Sequence, residues 1–149
     1  MFPLHQEQIQ DGTVPGIKQA AIRKLHHELG IKSDQLPLTA FKFLTRLHYC
    51  AADTETWGPS AEWGEHEVDY ILCIRADVSL DPNPDEVRET RYVTLPELRA
   101  MMAPSTGLLW SPWFRIIATE FLETWWADLD ATLRTDRMVD HGTIHHILS

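Results

Sequence analysis

The chain is poor in cysteine, with only Cys50 and Cys73 in 149 residues. Two thiols do not make a disulfide framework, and each reads as a small core residue. It also lacks basic charge: 13 Lys and Arg stand against 22 Asp and Glu, for a net charge of −9. A nucleic-acid surface is therefore not expected. No apolar run is long enough to span a bilayer, because Arg, Glu or Asp interrupts every candidate. The start, Met1-Phe2-Pro3-Leu4-His5-Gln6-Glu7, lacks the basic n-region and apolar middle of a signal peptide. These absences point to a reducing, cytoplasmic setting. What is present suits one soluble domain with a real core: the length, and a hydrophobic share of 44%. Six tryptophans are many for this length, and some are expected to serve a site.

The chain is organised around Trp63-Gly64-Glu65-His66-Glu67-Val68-Asp69-Tyr70, which runs into Ile71-Leu72-Cys73-Ile74. Carboxylates on alternate residues follow the period of a β-strand. Glu65, Glu67 and Asp69 then line one face, and Val68, Tyr70, Leu72 and Ile74 the other. A row of acids beside buried apolar residues needs a metal, a proton or a basic partner. The plain alternative is a solvated face on an edge strand.

Residues 1–15 show no sustained period and are expected to be irregular. Ile17, Ala20, Ala21, Leu25 and Leu29 recur at helical spacing, and Gly30 is a good stop. Phe41–Cys50 reads as a strand with Phe41, Phe43, Thr45, Leu47 and Tyr49 on one face. A loop over 53–62 leads to the acidic strand. Val87–Val93 is a short strand candidate. Thr94-Leu95-Pro96-Glu97 is a capping box, so a helix starts there and ends before Pro104. Ser111-Pro112-Trp113 repeats the cap-then-Pro signal. The long helix expected after it carries Phe114, Ile117, Phe121, Leu122 and Trp125 at helical spacing. The tail from Asp130 is mixed, with only its end helical or extended. The pattern is α+β, two or more helices around a mixed sheet.

Arg23-Lys24-Leu25-His26-His27-Glu28-Leu29-Gly30-Ile31 looks like the tail of a Nudix box, whose helix carboxylates hold Mg²⁺ at a diphosphate. Lys24 and His27 stand where that box has acids, and only Glu28 survives. One carboxylate does not hold the ions that water attack on phosphorus needs, which disfavours a pyrophosphohydrolase. The plain alternative is a generic amphipathic helix. Trp125 and Trp126 read as core aromatics. His141, His145 and His146 match no standard zinc spacing and read as a polar tail.

Together these pieces resemble type I isopentenyl-diphosphate Δ-isomerase, a family of the Nudix-fold superfamily. The resemblance is carried by Ala20-Ala21, Arg23-Lys24-Leu25, Glu28-Leu29-Gly30-Ile31, Leu44–Tyr49, Trp63–Leu72, Asp81-Pro82-Asn83-Pro84, Tyr92-Val93, Pro112-Trp113-Phe114, Trp125-Trp126 and Val139-Asp140-His141. It runs in order from about Gly16 to the C-terminus. It implies an enzyme of isoprenoid biosynthesis that interconverts isopentenyl and dimethylallyl diphosphate by protonation and deprotonation. By the same resemblance Glu67 is the acid/base, Glu65 its metal-binding neighbour and Tyr49 its hydrogen-bonding partner. Glu28 is the Mg²⁺ ligand, Lys24 binds the diphosphate, and Trp113 covers the tertiary carbocation with its π face. A second divalent metal belongs to the family, but its histidine ligands have no counterpart here.

The family's N-terminal third, which carries a catalytic Cys and several strands, also has no counterpart. The expected fold is therefore a Nudix-like mixed sheet flanked by helices and missing its N-terminal strands, over residues 16–149. Residues 57–62 look like an insertion. Cys50 points away from Tyr49. Cys73 lies roughly 20 Å along the strand from Glu67. Neither replaces the missing thiol, so little turnover is expected of this chain alone. An unpaired sheet edge is expected to promote self-association. The competing reading is a non-catalytic Nudix-like module that binds diphosphates or a protein partner. If Glu67 has no metal and no partner, either it is buried or its strand end is open to water.

Overall fold

The computed structural model describes residues 14–52, 54, 58–60 and 64–148. Trp63 and half of the insertion expected at 57–62 lie outside them, as does nearly all of the segment expected to be irregular.

Helix α1 spans Pro15–Leu29. Proline opens it without losing a hydrogen bond, because the first helical N–H groups have no intrahelical acceptor. Gly30 closes it at φ 66°, where the left-handed conformation favours glycine. There the Gly30 N–H donates to His26 O and the Ile31 N–H to Leu25 O. This is the paired-bond stop that a glycine after a helix permits. The segment Asp81-Pro82-Asn83 completes the cap. Its Asp81 and Asn83 amides donate to the carbonyls of Leu29 and Glu28, each at 2.9 Å. A methyl group on Gly30 would sit 2.3 Å from Asp81 O, so this approach also requires glycine.

Among the described residues the sheet has three strands in the order β2-β1-β3. Strands β1 (Lys42–Ala52) and β2 (Gly64–Cys73) are antiparallel, and β3 (Ile144–Leu148) runs parallel to β1. The mixed α+β sheet is thus as expected, and the extended end of the tail is its third strand. Among the described residues, the outer edge of β2 is unpaired.

The pairing corrects the expected faces of β1. Phe43 lies opposite Leu72 and Thr45 opposite Ile71, so Leu44 is an extra residue, a β-bulge. Such an insertion moves the following side chains to the other face. Phe41 packs under α1 with Leu25, Leu72 and Ile74. Leu44 and Leu47 pack on the opposite side with Ile117 and Trp125. Without the bulge, Tyr49 would share the face of Phe41.

Helix α2 (Leu95–Met101) carries the expected capping box: Glu97 N–H donates to Thr94 Oγ1, and the Thr94 N–H donates back to Glu97 Oε2 at 2.6 Å. Substituting Thr94→Ala is expected to lower stability by about 1 kcal/mol in urea unfolding. The segment Val87–Val93 is not a strand; it has no pairing partner among the described residues. The long helix expected after Ser111 is divided. Helix α3 spans Pro112–Glu120 and α4 spans Leu122–Ala127, with Phe121 between them at φ −126°. Phe121 stacks on Trp125 and meets His145 of β3 edge-on, each with ring centroids 5.2 Å apart. These contacts hold it out of the regular helix. A further short helix, α5 (Leu129–Arg134), lies in the tail expected to be irregular. Buried Thr132 anchors it, with Oγ1 donating to Trp125 O at 2.8 Å.

Candidate functional site

The pairing of β1 and β2 sets the site. Tyr49 lies opposite Glu67, Leu47 opposite Asp69 and Ala51 opposite Glu65. Past the bulge these side chains share the face covered by α3 and α4. Tyr49 is 1% exposed. Glu65 and Glu67 stand at an exposed strand end, so the acids meet water rather than the core. Gly64 makes the close pairing there: a Cβ on it would lie 2.4 Å from Ala51 O and 2.9 Å from Ala52 Cα.

An open cavity of about 820 Å³ wraps the free edge of β2. Lys24 comes to it from α1, Glu67 and Asp69 from β2, and Trp113 and Ile117 from α3. Three of the expected residues, Lys24, Glu67 and Trp113, therefore surround one space, with Tyr49 beside Glu67 in register. Trp113 keeps 37% of its surface exposed and packs its edge on Phe114 at 5.7 Å. Glu28 and Glu65 are not in the cavity wall. Glu28 instead accepts from Lys24, with Nζ and Oε1 2.6 Å apart. That hydrogen bond, then the Glu28 charge, raises the pKa of Lys24.

Asp69 is the residue that the sequence pointed to only as the third member of the acid row. Burial is the largest influence on it, followed by the charges of Glu67 and Glu65 and a hydrogen bond with Glu67; together they raise its pKa to about 6. A carboxyl next to the candidate acid/base thus keeps its proton up to about pH 6.

Oxygen donors of this kind suit a hard cation such as Mg²⁺, which typically takes one or two carboxylates and completes its shell with water and phosphate. Among the described residues no three His, Cys, Asp or Glu side chains converge on one point, so a metal here depends on further donors. The opposite sheet face carries His48, whose two ring nitrogens each lie 2.9 Å from a neighbour, His146 on β3 and His66 on β2. His141 stacks on Phe43 and His145 lies 3.3 Å from Asp140, so the expected polar tail is built into the sheet. Cys50 pairs with His66 across the strands, on the face away from Tyr49, and burial raises the pKa of Cys73.

Among the described residues no helix is long and apolar enough to cross a membrane. The NUDIX domain family matches residues 8–114. Proteins named isopentenyl-diphosphate delta-isomerase are similar to most of the chain. That of Gibberella zeae is 47% identical over 83% of this chain and 46% of the relative. That of Schizosaccharomyces pombe is 48% identical over 78% of this chain and 48% of the relative. The Bos taurus protein named isopentenyl-diphosphate Delta-isomerase 1 is 37% identical over 94% of this chain and 59% of the relative. The chain therefore spans about half the length of the fungal relatives. A NUDIX match over most of the sequence, on a mixed sheet whose first helix ends in the Glu28-Leu29-Gly30-Ile31 stop, establishes that the chain belongs to the NUDIX family.

Proposed function

We propose that this chain carries one half of the acid/base site of an isopentenyl-diphosphate isomerase. The observation supporting this most is that Lys24, Glu67 and Trp113 line one cavity while Tyr49 faces Glu67 across the strands. Moving the double bond of isopentenyl diphosphate requires a proton to be added at the terminal alkene carbon and another removed from the neighbouring CH₂. An alkene is a weak base, so the acid must be positioned and water excluded. Glu67 Oε exchanges a proton with the substrate on one face, and the Tyr49 hydroxyl orients that carboxyl. Asp69, its pKa raised to about 6, stands beside it. The Trp113 π face stabilises the tertiary cation that lies between the two proton transfers. Lys24 holds the diphosphate. Mg²⁺, when bound, would neutralise diphosphate charge; of the expected ligands Glu28, Glu65 and Glu67, it is Glu67 that stands in the cavity wall and would be offered to it.

Neither Cys50 nor Cys73 lines the cavity at Glu67, so the thiol that the resemblance implies has no counterpart among the described residues. Little isomerase turnover is therefore expected of the 149-residue chain by itself. Mg²⁺-dependent binding of isopentenyl diphosphate is expected nonetheless. Substituting Lys24→Ala should weaken it by about tenfold, the loss of one charge-assisted hydrogen bond. Titration calorimetry with and without a chelator measures the binding, and labelled isopentenyl diphosphate measures turnover. Robust turnover without divalent metal, or binding indifferent to Lys24, would overturn the reading. Trace turnover at high protein concentration that Glu67→Gln abolishes supports the isomerase reading, whereas binding with no trace of turnover favours the alternative of a non-catalytic diphosphate-binding module. The free edge of β2 further leads us to expect concentration-dependent self-association in sedimentation experiments.

A further inference from the structure

A second cavity, of about 320 Å³, lies between the sheet and the helices α4 and α5. Its walls include Leu44, Cys73, Leu122, Trp125, Trp126 and Leu129, none of them charged. Ile71, Leu72 and Ile117 wall both this cavity and the larger one at Glu67, so the two abut. The combined space is polar at one end, where Lys24, Glu67 and Asp69 stand, and apolar at the other. Glu67, Asp69, Ile71 and Cys73 follow one another along a single face of β2. At about 3.3 Å per residue, Ile71 is roughly 13 Å and Cys73 roughly 20 Å beyond Glu67. A five-carbon chain that reacts at Glu67 does not span the roughly 20 Å along β2 to the apolar space at Cys73. A longer chain, held the same way, reaches into it. The volume lies at the lower end of the range for small-ligand sites.

We propose that this apolar cavity is a tail site for prenyl diphosphates longer than five carbons, which bind across the Glu67 cavity and compete with the five-carbon substrate. The inference rests on the diphosphate-binding reading above, and its chemistry is complementary at both ends. The anionic head meets Lys24, and the branched hydrocarbon tail meets Ile71, Ile117, Leu129 and the partly exposed ring of Trp126. Binding requires no covalent step. It would let the products of chain elongation, a condensation that consumes five-carbon diphosphates, occupy the site that supplies them.

The test is calorimetric titration of the 149-residue chain in Mg²⁺ with inorganic diphosphate and with dimethylallyl, geranyl and farnesyl diphosphates. Affinity is expected to rise at least about tenfold from five to ten carbons, since burial of several methylene groups far exceeds that threshold. Leu129→Trp, which fills the cavity, should abolish the increment and leave dimethylallyl diphosphate binding unchanged. Trp126→Ala should shrink it by a few-fold and serves as the second variant if the first does not fold. Equal affinity for five and ten carbons overturns the tail site while leaving diphosphate binding intact. So does an increment that neither variant alters. If no diphosphate binds, the functional reading falls with it.

Discussion

Replacing Gly64 with alanine is expected to lower stability by about 3 kcal/mol, a fall in Tm of roughly 9 °C for a domain of this size. The methyl group would be driven to 2.4 Å from Ala51 O and 2.9 Å from Ala52 Cα. Both are main-chain atoms of the central strand, so no flexible side chain can yield and the strands themselves must separate. The separation opens at the rungs where Ala51 meets Glu65 and Tyr49 meets Glu67. Diphosphate binding should therefore weaken together with stability. Gly142→Ala is the control, because the nearest atom to its added Cβ is Asp140 Oδ1 at 3.8 Å. Thermal unfolding followed by circular dichroism measures both variants. A Gly64→Ala protein that melts with the parent would show that the glycine of the Trp-Gly-Glu motif is not there for close strand approach.

Asp69→Asn should produce the second large effect, and it depends on pH. The Asp69 carboxyl is raised from 3.8 to about 6 by burial first and by Glu67 and Glu65 next. The folded protein thus holds this proton over a range in which the unfolded chain has released it. Stability contributed by the group is present below about pH 4 and is lost as pH rises through about 6. Above pH 6 the folded state carries a disfavoured anion. Asparagine removes that penalty. Solvent reaches much of the group and screens it, so the gain at pH 7.5 is about 1 kcal/mol, or roughly 3 °C in Tm. Near pH 4 the two proteins should melt together, because asparagine and a protonated aspartate are both neutral. Melting curves at the two pH values decide the matter; a variant that loses stability at pH 7.5 contradicts the electrostatic account. Direct NMR titration of the Asp69 side-chain carboxyl carbon provides an independent check.

Local chemistry was legible in the sequence wherever a few neighbouring residues decide the outcome. Gly30 stops α1, Thr94 and Glu97 cap α2, and Pro112 opens α3, all within one helical turn of the residues that signal them. The opposition of Tyr49 and Glu67 was also legible, through the resemblance that makes Tyr49 the hydrogen-bonding partner of Glu67. The faces were not. Nothing near Leu44 marks it as a bulge; the slip is decided by how Leu44 and Leu47 pack on Ile117 and Trp125. The division of the long helix at Phe121 has a similar origin, since its ring contacts His145 from the far end of the chain. Val87–Val93 failed as a strand for lack of a neighbour, which no local composition supplies. At the site, the alternate acids announced a costly charge row but not that burial would raise the pKa of one of them. That is Asp69, the acid of the row closest to the core side of β2, and only tertiary packing fixes its burial.

The parallel pairing of β3 with β1 bears on the order in which the chain can fold. His48 meets His146 across 98 positions of sequence. The β1–β2 pair and the α1 unit can form from nearby residues, but one flank of the central strand waits for residues made about a hundred positions later. Contacts of such long range slow folding, and until they close they leave a sticky hydrogen-bonding edge on a nascent chain. Strand β3 thus acts as a late clasp, and removing it should impair yield during synthesis more than its five residues of contact would suggest.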